Sequence, residues 1–183
     1  MDNPFVCVII PVFNDSKRLL LCLRSLYCQT YPYSCYEVIV VDNGSTENIC
    51  SICHQFPNVR YLCELGRGSY AARNCGVRAA KGKILAFTDS DCIPAADWIE
   101  AGVRSLSQSP DIGIVAGHIE FFYAQSQPSP VEYMDSLMHL QQRYAQRGYA
   151  ATGNAFTWIW MFERVGMFNE RLLSLGDREW GKG

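Results

Sequence analysis

Two aspartates follow directly after an apolar, strand-like run, with one residue between them. The run and the two aspartates together are Lys83–Asp91 (KILAFTDSD), and the aspartates are Asp89 and Asp91. Side chains at positions i and i+2 of a strand point to the same face, so both carboxylates meet solvent together where the strand ends. One hard divalent cation can bridge such a pair to a diphosphate. The spacing therefore predicts a metal site and a phosphate-bearing ligand, although Asp-x-Asp also occurs in loops that only solvate a strand end.

The elements that must position these carboxylates alternate between strands and helices. The strand-like segments are apolar runs that are too continuous for half-exposed strands. Between them lie segments whose apolar residues recur at helical intervals and that end at Gly or Pro. The predicted strands are Phe5–Val12, Tyr36–Val41, Val59–Cys63 and Ile84–Thr88, and the predicted helices run from Asn14–Ser16 to Tyr31, from Ser45 to Phe56, over Ser69–Lys81 and over Pro94–Ser107. This order is typical of βαβ units with a parallel sheet and right-handed crossovers. Ligands of such sheets bind beyond the carboxyl ends of the strands, where Asp42 and Asp89 lie.

The remainder of the chain is less regular. The sequence predicts an extended segment over Ile112–Phe122, followed by a mobile loop over Ala124–Pro130, which is rich in Gln, Ser and Pro. A helical pattern then covers Val131–Arg147, and the apolar run Phe156–Phe162 predicts a buried helix.

The composition describes one globular domain and excludes several kinds of partner. Of the 183 residues, 49% are hydrophobic and 19% are charged, and the net charge is −2. Because this balance leaves no polybasic surface, we expect no nucleic-acid partner. The longest apolar runs, such as Val6–Val12, are far shorter than the roughly 18–20 residues of a membrane helix, and Met1–Pro4 lacks the basic start of a signal peptide. We therefore expect a cytoplasmic protein.

The nine cysteines are spread over strand and helix patterns, and we expect most of them to be reduced thiols in the core. Cys50–His54 fits the Cys-x-x-Cys-His spacing of covalent haem attachment. Haem attachment requires export, for which the sequence has no signal, and a zinc site needs a second ligand pair that the sequence lacks. We therefore expect an ordinary helix here, without haem or metal.

Six motifs follow one another along almost the whole chain. They are Val8–Asn14 (VIIPVFN), Gln29–Pro32 (QTYP), Glu37–Thr46 (EVIVVDNGST), Ala72–Gly76 (ARNCG), Asp89–Asp91 (DSD) and Gly176–Trp180 (GDREW). In type and order they resemble those of family 2 glycosyltransferases, which are inverting, nucleotide-sugar-dependent enzymes. The resemblance implies a GT-A fold, a Rossmann-like α/β/α sandwich with a mainly parallel central sheet. It also implies a single catalytic domain over residues 1–183 that is truncated at its C-terminus.

The resemblance places the nucleobase at the ends of the first two strands, with roles for Pro11, Phe13 and Asp42. A carboxylate can accept the imide N–H of uracil, which adenine lacks, and an aromatic residue after Pro supplies a face for the ring. The alternatives are an Asx turn from Asp42 onto Gly44 and simple packing of Phe13.

The resemblance also implies the groups that hold the rest of the donor. Arg73 is expected near the base or the phosphates, where a guanidinium binds oxygens bidentately, unless it is only an exposed helix arginine. Asp89 matches the ribose contact, Ser90 belongs to the same nucleotide-binding segment, and Asp91 matches the metal ligand. Magnesium or manganese suits such an oxygen-rich site.

On the acceptor side, Asp177 is expected to be the general base, because inversion needs one group that takes the proton of the attacking hydroxyl. The family usually has Glu-Asp at this position, and this chain has Gly176 before Asp177. Gly153 and Asn154 resemble the family's loop near the acceptor and the diphosphate. Trp158 and Trp160 follow that loop, and we expect them in the core rather than stacked on a sugar.

Together these features imply transfer of a sugar from a nucleoside diphosphate donor, with UDP expected, to a glycan or lipid-linked acceptor. A longer form of the chain is expected at the inner face of the membrane, as a peripheral protein. Two alternatives stay open. A sugar nucleotidyltransferase needs a Gly-rich, Arg-containing loop after the first strand, which Phe13–Ser16 does not provide. The other is a non-catalytic or incomplete nucleotide-sugar-binding domain, because the chain ends soon after Asp177.

Overall fold

A six-stranded sheet forms the centre of the protein in the computed structural model, which describes residues 3–123, 128–138 and 141–182. The strand order is β3-β2-β1-β4-β6-β5. The strands are β1 (Val6–Val12), β2 (Tyr36–Asp42), β3 (Val59–Cys63), β4 (Ile84–Thr88), β5 (Ile114–Ala116) and β6 (Asn154–Trp158). The first four are mutually parallel, and β6 runs antiparallel to both β4 and β5.

Helices cover both faces of the sheet. They are α1 (Ser16–Tyr27), α2 (Ile49–Cys53), α3 (Ser69–Ala79), α4 (Trp98–Leu106), α5 (Pro130–Met138), α6 (Gln141–Gln146), α7 (Ile159–Val165) and α8 (Gly176–Trp180). Apolar residues of α1, α2 and α4 pack on one face, and those of α3, α7 and α8 pack on the other. Strands β1 and β4 are buried along their whole length, as expected of parallel strands covered on both sides. The α/β/α sandwich with a mainly parallel sheet is therefore confirmed.

The strand β6 is the main departure from the elements predicted above. The run Phe156–Phe162 is not one buried helix, because residues 154–158 pair with β4 and β5 and the helix begins only at Ile159. Phe156 lies opposite Ala86 and packs under α4. A short apolar run cannot be assigned to helix or strand by periodicity alone, and here aromatic and β-branched residues favour the strand.

Several boundaries also differ. The helix predicted from Pro94 begins at Trp98, and the extended segment Ile112–Phe122 contains only the short strand β5. The pattern Val131–Arg147 forms two helices, α5 and α6. Residues 124–127 of the predicted loop Ala124–Pro130 lie outside the described residues. The described ranges contain no helix that combines the length and the apolar character needed to span a membrane.

The cysteines are less uniformly buried than expected. All nine are free, but only Cys7, Cys22 and Cys53 are buried, whereas Cys28 and Cys63 are exposed. The Cys50 thiol lies 3.7 Å from the Nε2 atom of His54, one helical turn further on, while Cys53 belongs to the core under α2. The two cysteines of this motif therefore lie in different environments.

Polar contacts join the loops that follow β1 and β2. The side-chain oxygen of Asn14 accepts hydrogen bonds from the backbone N–H and the hydroxyl of Thr46. In the other direction, the backbone N–H of Asn14 donates to Ser45 Oγ at 2.9 Å. Asn14 has a left-handed backbone, with φ at 49°, a conformation that Asn tolerates better than most residues. These contacts fix the first turn of α1 beside the end of β2.

Candidate active site

A polar cleft lies beyond the carboxyl ends of β1 and β4. Residues of several sequence motifs meet there, because the carboxyl ends of parallel strands lie at the same edge of the sheet. Its volume is about 330 Å³. The lining residues are Pro11, Val12, Phe13, Asp15, Arg18, Asn43, Ser69, Arg73, Asp89, Ser90 and Asp91. Among the residues predicted for nucleotide or metal binding, only Asp42 is missing from this lining.

An ion pair between buried Arg73 and partly exposed Asp89 forms one wall of the polar cleft. Arg73 on α3 is 5% exposed, and its Nη2 donates to Asp89 Oδ1 at 2.5 Å. The guanidinium carbon lies 5.5 Å from the ring centre of Tyr70, within the range of a cation–π contact. Arg73 is therefore not an exposed helix arginine, which was the alternative left open by the sequence.

Asp91 lies at the mouth of the polar cleft, with its side chain 49% exposed. Arg18 Nη1 lies 3.7 Å from Asp91 Oδ2, and Arg18 Nε donates to both carboxylate oxygens of Asp15 at 2.8 and 2.9 Å. Ser90 Oγ donates to Asp15 Oδ2 at 3.2 Å. Partial desolvation in the cleft and the nearby carboxylate of Asp89 raise the pKa of Asp91, and Arg18 acts against both.

The donor atoms at this mouth suit a divalent ion of the magnesium type. The negative charges of Asp89 and Asp91 repel one another, and a hard cation relieves that repulsion. Within the described residues, no group of three or more His, Cys, Asp or Glu side chains is arranged to hold a metal. Magnesium is commonly held by one or two carboxylates together with substrate phosphates. The residues present therefore fit an ion that binds together with a diphosphate.

Asp42 and Phe13, the two side chains predicted to read the base, differ strongly in exposure. Phe13 is 61% exposed beside the cleft, which excludes simple packing. Asp42 is 4% exposed, and it accepts hydrogen bonds from the backbone N–H of Ser45 and from the hydroxyl of Tyr61, both at 2.9 Å. Burial and the contact with Asp42 raise the pKa of Tyr61, so that it remains a neutral donor. The turn at Asp42 closes onto Ser45 rather than Gly44.

A second, larger cavity, the apolar cavity, lies on the other side of Arg18 and Asp91. Its volume is about 790 Å³. The lining residues are Arg18, Leu21, Thr88, Asp91, Cys92, Ile93, Pro94, Ala95, Trp98, His118, Ile119, Glu120, Phe121, Phe122, Gly153 and Asn154. Most of them come from the loops after β4 and β5.

The predicted loop residues Gly153 and Asn154 meet at this cavity. A Cβ atom on Gly153 would lie 3.3 Å from Asp89 Oδ2, so glycine allows the loop to approach that carboxylate closely. Asn154 Oδ1 accepts from Trp98 Nε1, and its Nδ2 donates to the backbone oxygen of His118, both at 2.8 Å. Asn154 therefore ties together three walls of the apolar cavity.

Asp177, the predicted base, lines neither cavity and is held from the α3 side. The hydroxyl of Tyr70 donates to Asp177 Oδ1 at 3.3 Å and accepts from the backbone N–H of Gly176 at 2.8 Å. Burial and the Asp177 carboxylate raise the pKa of Tyr70, so the phenol keeps its proton. Because Arg73 lies over the Tyr70 ring, a continuous row of contacts connects Asp177 to Asp89.

The sequence analysis assigns no site role to several residues whose side chains take part in the contacts described above, namely Asp15, Arg18, Tyr61 and Tyr70. Asp15 lies in the segment Asn14–Ser16 that is predicted to begin the first helix, and the structure places it at the N-cap of α1 without a side-chain capping bond. Arg18 lies within the predicted first helix, where helical spacing alone does not mark it as a site residue. The signal that could have found Tyr70 is its position one turn before Arg73 on the same helix, since residues at i and i+3 share a face.

The chain belongs to glycosyl transferase family 2. The sequence profile described as Glycosyl transferase family 2 matches residues 7–167, which include both strand-end loops, Arg73 and the Asp89–Asp91 pair. Asp177 lies beyond the matched segment.

Relatives and solved structures support this assignment. Glycosyltransferase AglE of Haloferax volcanii is 41% identical over 186 residues, which cover 98% of this chain and 60% of AglE. Mannosyltransferase PcManGT from Pyrobaculum calidifontis, solved in complex with GDP-Man and Mn²⁺, superimposes with a TM-score of 0.76 at 26% identity, over 98% of this chain and 51% of that one. S. aureus TarS 1–349 in complex with UDP gives a TM-score of 0.76 at 19% identity over 97% of this chain and 54% of that one, which shows a common fold alone. The chain thus spans between half and two thirds of the length of these proteins.

Proposed function

We propose that the chain transfers a sugar from a nucleoside diphosphate donor to an acceptor hydroxyl, with inversion at the anomeric carbon. The observation that carries this proposal is the polar cleft itself. Phe13, Arg73, Asp89 and Asp91 come from three separate segments of the sequence and line one space of about 330 Å³ at the ends of parallel strands. An exposed aromatic face, a fixed guanidinium and two carboxylates are the groups that a base, a ribose and a metal-bound diphosphate require.

UDP is the donor nucleotide that we propose. Phe13 offers a face to the base, and the carboxylate of Asp42 has lone pairs beyond the two already used by Ser45 and Tyr61. Asp89, whose Oδ1 accepts from Arg73, is the residue that we propose to accept from the ribose hydroxyls. Guanine also presents an N–H that a carboxylate accepts, and PcManGT was solved with GDP-Man, so GDP is the competitor against which uridine specificity must be measured.

The divalent ion proposed at Asp91 is Mg²⁺ or Mn²⁺. When bound, such an ion supplies positive charge that stabilises the departing nucleoside diphosphate. PcManGT, the solved relative at 26% identity, was crystallised with Mn²⁺. Asp91 is half exposed and lines the polar cleft together with Asp89, and it would hold the ion there.

Asp177 is the residue that we propose as the general base. Both hydrogen bonds to its side chain, from the Tyr70 hydroxyl and the Arg178 backbone N–H, go to Oδ1. The Tyr70 phenol thus orients the carboxylate and leaves Oδ2 to take the proton of the acceptor hydroxyl. As the oxygen of that hydroxyl bonds to the anomeric carbon, the bond to the diphosphate breaks on the opposite face, which inverts the configuration.

The acceptor that we propose is a glycan or a lipid-linked sugar. Peripheral association of a longer form with the inner face of the membrane would bring the site to a lipid-linked acceptor. The apolar cavity adjoins Asp91 and is lined by Trp98, Phe121 and Phe122. Rings of this kind commonly present apolar faces to bound ligands.

Incubation with UDP-GlcNAc and with GDP-Man, in the presence of Mn²⁺ or Mg²⁺, tests the proposed activity. We expect release of UDP rather than GDP, and release should stop when the ion is chelated. Proton NMR of the freed or transferred sugar should show the inverted anomer. Binding without release would favour the non-catalytic alternative, and formation of pyrophosphate from a nucleoside triphosphate and a sugar phosphate would favour the nucleotidyltransferase.

A further inference from the structure

Arg18 holds a position that neither the family motifs nor the proposed reaction accounts for. Among the described residues, only Arg18 and Asp91 line both the polar cleft and the apolar cavity. The pair therefore forms the boundary between the two spaces. A diphosphate bound beside Asp91 would lie close to this guanidinium, whose Nη1 is 3.7 Å from Asp91 Oδ2.

The guanidinium of Arg18 is anchored at one end and open at the other. Its Nε is held by both oxygens of Asp15 at 2.8 and 2.9 Å, and Asp15 is itself held by the hydroxyl of Ser90. The side chain is nevertheless 63% exposed. The Nη1–Asp91 separation of 3.7 Å is a loose ion pair rather than a hydrogen bond. Nη1 of Arg18 therefore lies beside Asp91 at the cleft, and no hydrogen bond joins either terminal nitrogen of Arg18 to another described residue.

Charge balance in the polar cleft also indicates a role for Arg18. Three carboxylates, those of Asp15, Asp89 and Asp91, line the described cleft, together with the guanidinium groups of Arg18 and Arg73. Arg73 is buried against Asp89 at 2.5 Å. Arg18 is therefore the exposed cation available to the two or three negative charges of a nucleoside diphosphate. A planar guanidinium fork binds phosphate oxygens bidentately.

We propose that Arg18 binds the terminal phosphate of the nucleoside diphosphate and thereby leaves Asp91 to the divalent ion. Asp15 continues to hold Nε of Arg18 while the terminal nitrogens of Arg18 change partners. Before the donor arrives, Arg18 occupies the space beside Asp91 and competes with a free ion. Once the donor is bound, Arg18 would pair with its terminal phosphate, and the carboxylate of Asp91 would then be available to hold the ion. The inference rests on the proposed function, because it requires a diphosphate in the polar cleft.

Calorimetric titrations of wild-type protein and Arg18→Gln test the exchange. The titrants are UDP with saturating Mn²⁺, UMP with saturating Mn²⁺, and Mn²⁺ alone. We expect Arg18→Gln to weaken UDP binding by about 10- to 100-fold, the usual effect of losing a charge-assisted hydrogen bond. UMP lacks the terminal phosphate, so its affinity should stay within about twofold of wild type.

Manganese alone should bind Arg18→Gln more tightly, by about fivefold, since a positive charge near 4 Å from Asp91 has been removed. Opposite changes for UDP and for Mn²⁺ are the signature of the exchange, because damage to the fold would weaken both. Arg18→Lys keeps the charge but loses the planar fork, so its UDP affinity should fall between those of wild type and Arg18→Gln.

Arg24→Gln is the matched control. Arg24 is an exposed arginine on the same helix, in its last turn, and its loss removes the same charge without touching the cleft. All three titrations should match wild type. Because exposed ion pairs contribute at most about 1 kcal/mol to folding, Arg18→Gln should unfold close to the wild-type temperature.

The outcomes separate this inference from the proposed function. If wild type binds UDP with Mn²⁺ and Arg18→Gln binds it equally well, the inference is overturned and the proposed function stands. Equal weakening of UDP and UMP, or weaker Mn²⁺ binding in Arg18→Gln, also overturns the inference. If wild type binds neither UDP nor GDP with Mn²⁺, the proposed function fails and the inference fails with it.

Discussion

The polar cleft and the apolar cavity share Arg18 and Asp91 but are built in different ways. The polar cleft follows the ends of β1 and β4 and the start of α3, whose backbones are fixed by the sheet and by the contacts of Asn14 with the next strand's loop. The apolar cavity is enclosed mostly by the loops after β4 and β5, which Asn154 holds together. Residues at the ends of regular strands can therefore be identified from motifs, whereas of the loop-built cavity the motifs identify only Gly153, Asn154 and the shared Asp91.

The largest expected effect concerns the acceptor side. Asp177→Asn should lower the rate of sugar transfer by about two to four orders of magnitude, because the amide keeps the size of the side chain but cannot take a proton. UDP affinity should remain near wild type, since Asp177 lines neither cavity. Transfer rates and calorimetric UDP affinities, measured on the same preparations, check this separation.

Tyr70→Phe is the companion variant for Asp177. It removes the hydroxyl that donates to Asp177 but keeps the ring under Arg73. Transfer should fall by less than in Asp177→Asn. Near-normal transfer in Asp177→Asn would place the base elsewhere, and a loss of UDP affinity in that variant would place Asp177 in the donor site.

The second prediction concerns the strand that supports the apolar cavity. Phe156 is 1% exposed and its ring centre lies 4.7 Å from that of Trp98, a residue of the cavity wall. Phe156→Ala should reduce the free energy of unfolding by about 3–5 kcal/mol. Phe122→Ala is the control, because Phe122 is 78% exposed and its loss should change that free energy by at most about 0.5 kcal/mol. Urea denaturation of both variants distinguishes them, and equal stabilities would contradict the assignment of β6 to the core.

The third prediction concerns the base-reading side of the polar cleft. Tyr61→Phe removes the phenol that donates to Asp42 Oδ2 at 2.9 Å. If Asp42 binds the base, its altered orientation should weaken UDP binding by about two- to tenfold, the effect of one neutral hydrogen bond. Calorimetric UDP affinities of wild type and Tyr61→Phe measure this effect. An unchanged UDP affinity would show that Asp42 serves only the turn onto Ser45.

The smallest predicted effect is a pH dependence. Desolvation and Asp89 raise the pKa of Asp91, so Asp91 takes up its proton at a higher pH than an ordinary aspartate with a pKa of about 3.9. Mn²⁺ binding should therefore weaken as the pH is lowered, beginning above the ordinary carboxyl range. The native state binds more protons here than the unfolded chain, so this group lowers the stability of the ion-free protein as the pH rises through the same range.

Asp91→Asn is the reference for this pH dependence. It cannot titrate, so Mn²⁺ binding and stability should lose the part that depends on this group. Titrations of Mn²⁺ from about pH 4, near the pKa of an ordinary aspartate, up to neutral pH compare the two proteins. Identical pH profiles would show that Asp91 does not control the ion.

The sequence predicts the fold and the acidic residues of the polar cleft because both follow from regular patterns of residue types along the chain. Continuous apolar runs predict β1, β2 and β4, and acidic residues at their ends predict where ligands bind. Strand β6 was missed because five residues of mixed character fit a helix as well as a strand. Arg18 was missed because helical spacing identifies the buried side of α1 but not which exposed arginine meets Asp91, far along the chain.

The central claim is that the polar cleft binds a nucleoside diphosphate through an ion at Asp91. Calorimetric titration of UDP into wild type and Asp91→Asn, with Mn²⁺ and with a chelator, tests it most directly. Asp91 is half exposed, so the variant should fold normally, with a change of at most about 1 kcal/mol in the free energy of unfolding. We predict that Mn²⁺ strengthens UDP binding to wild type and has no effect on Asp91→Asn. Equal UDP affinity with and without Mn²⁺ in wild type, or the same gain from Mn²⁺ in both proteins, would contradict the account.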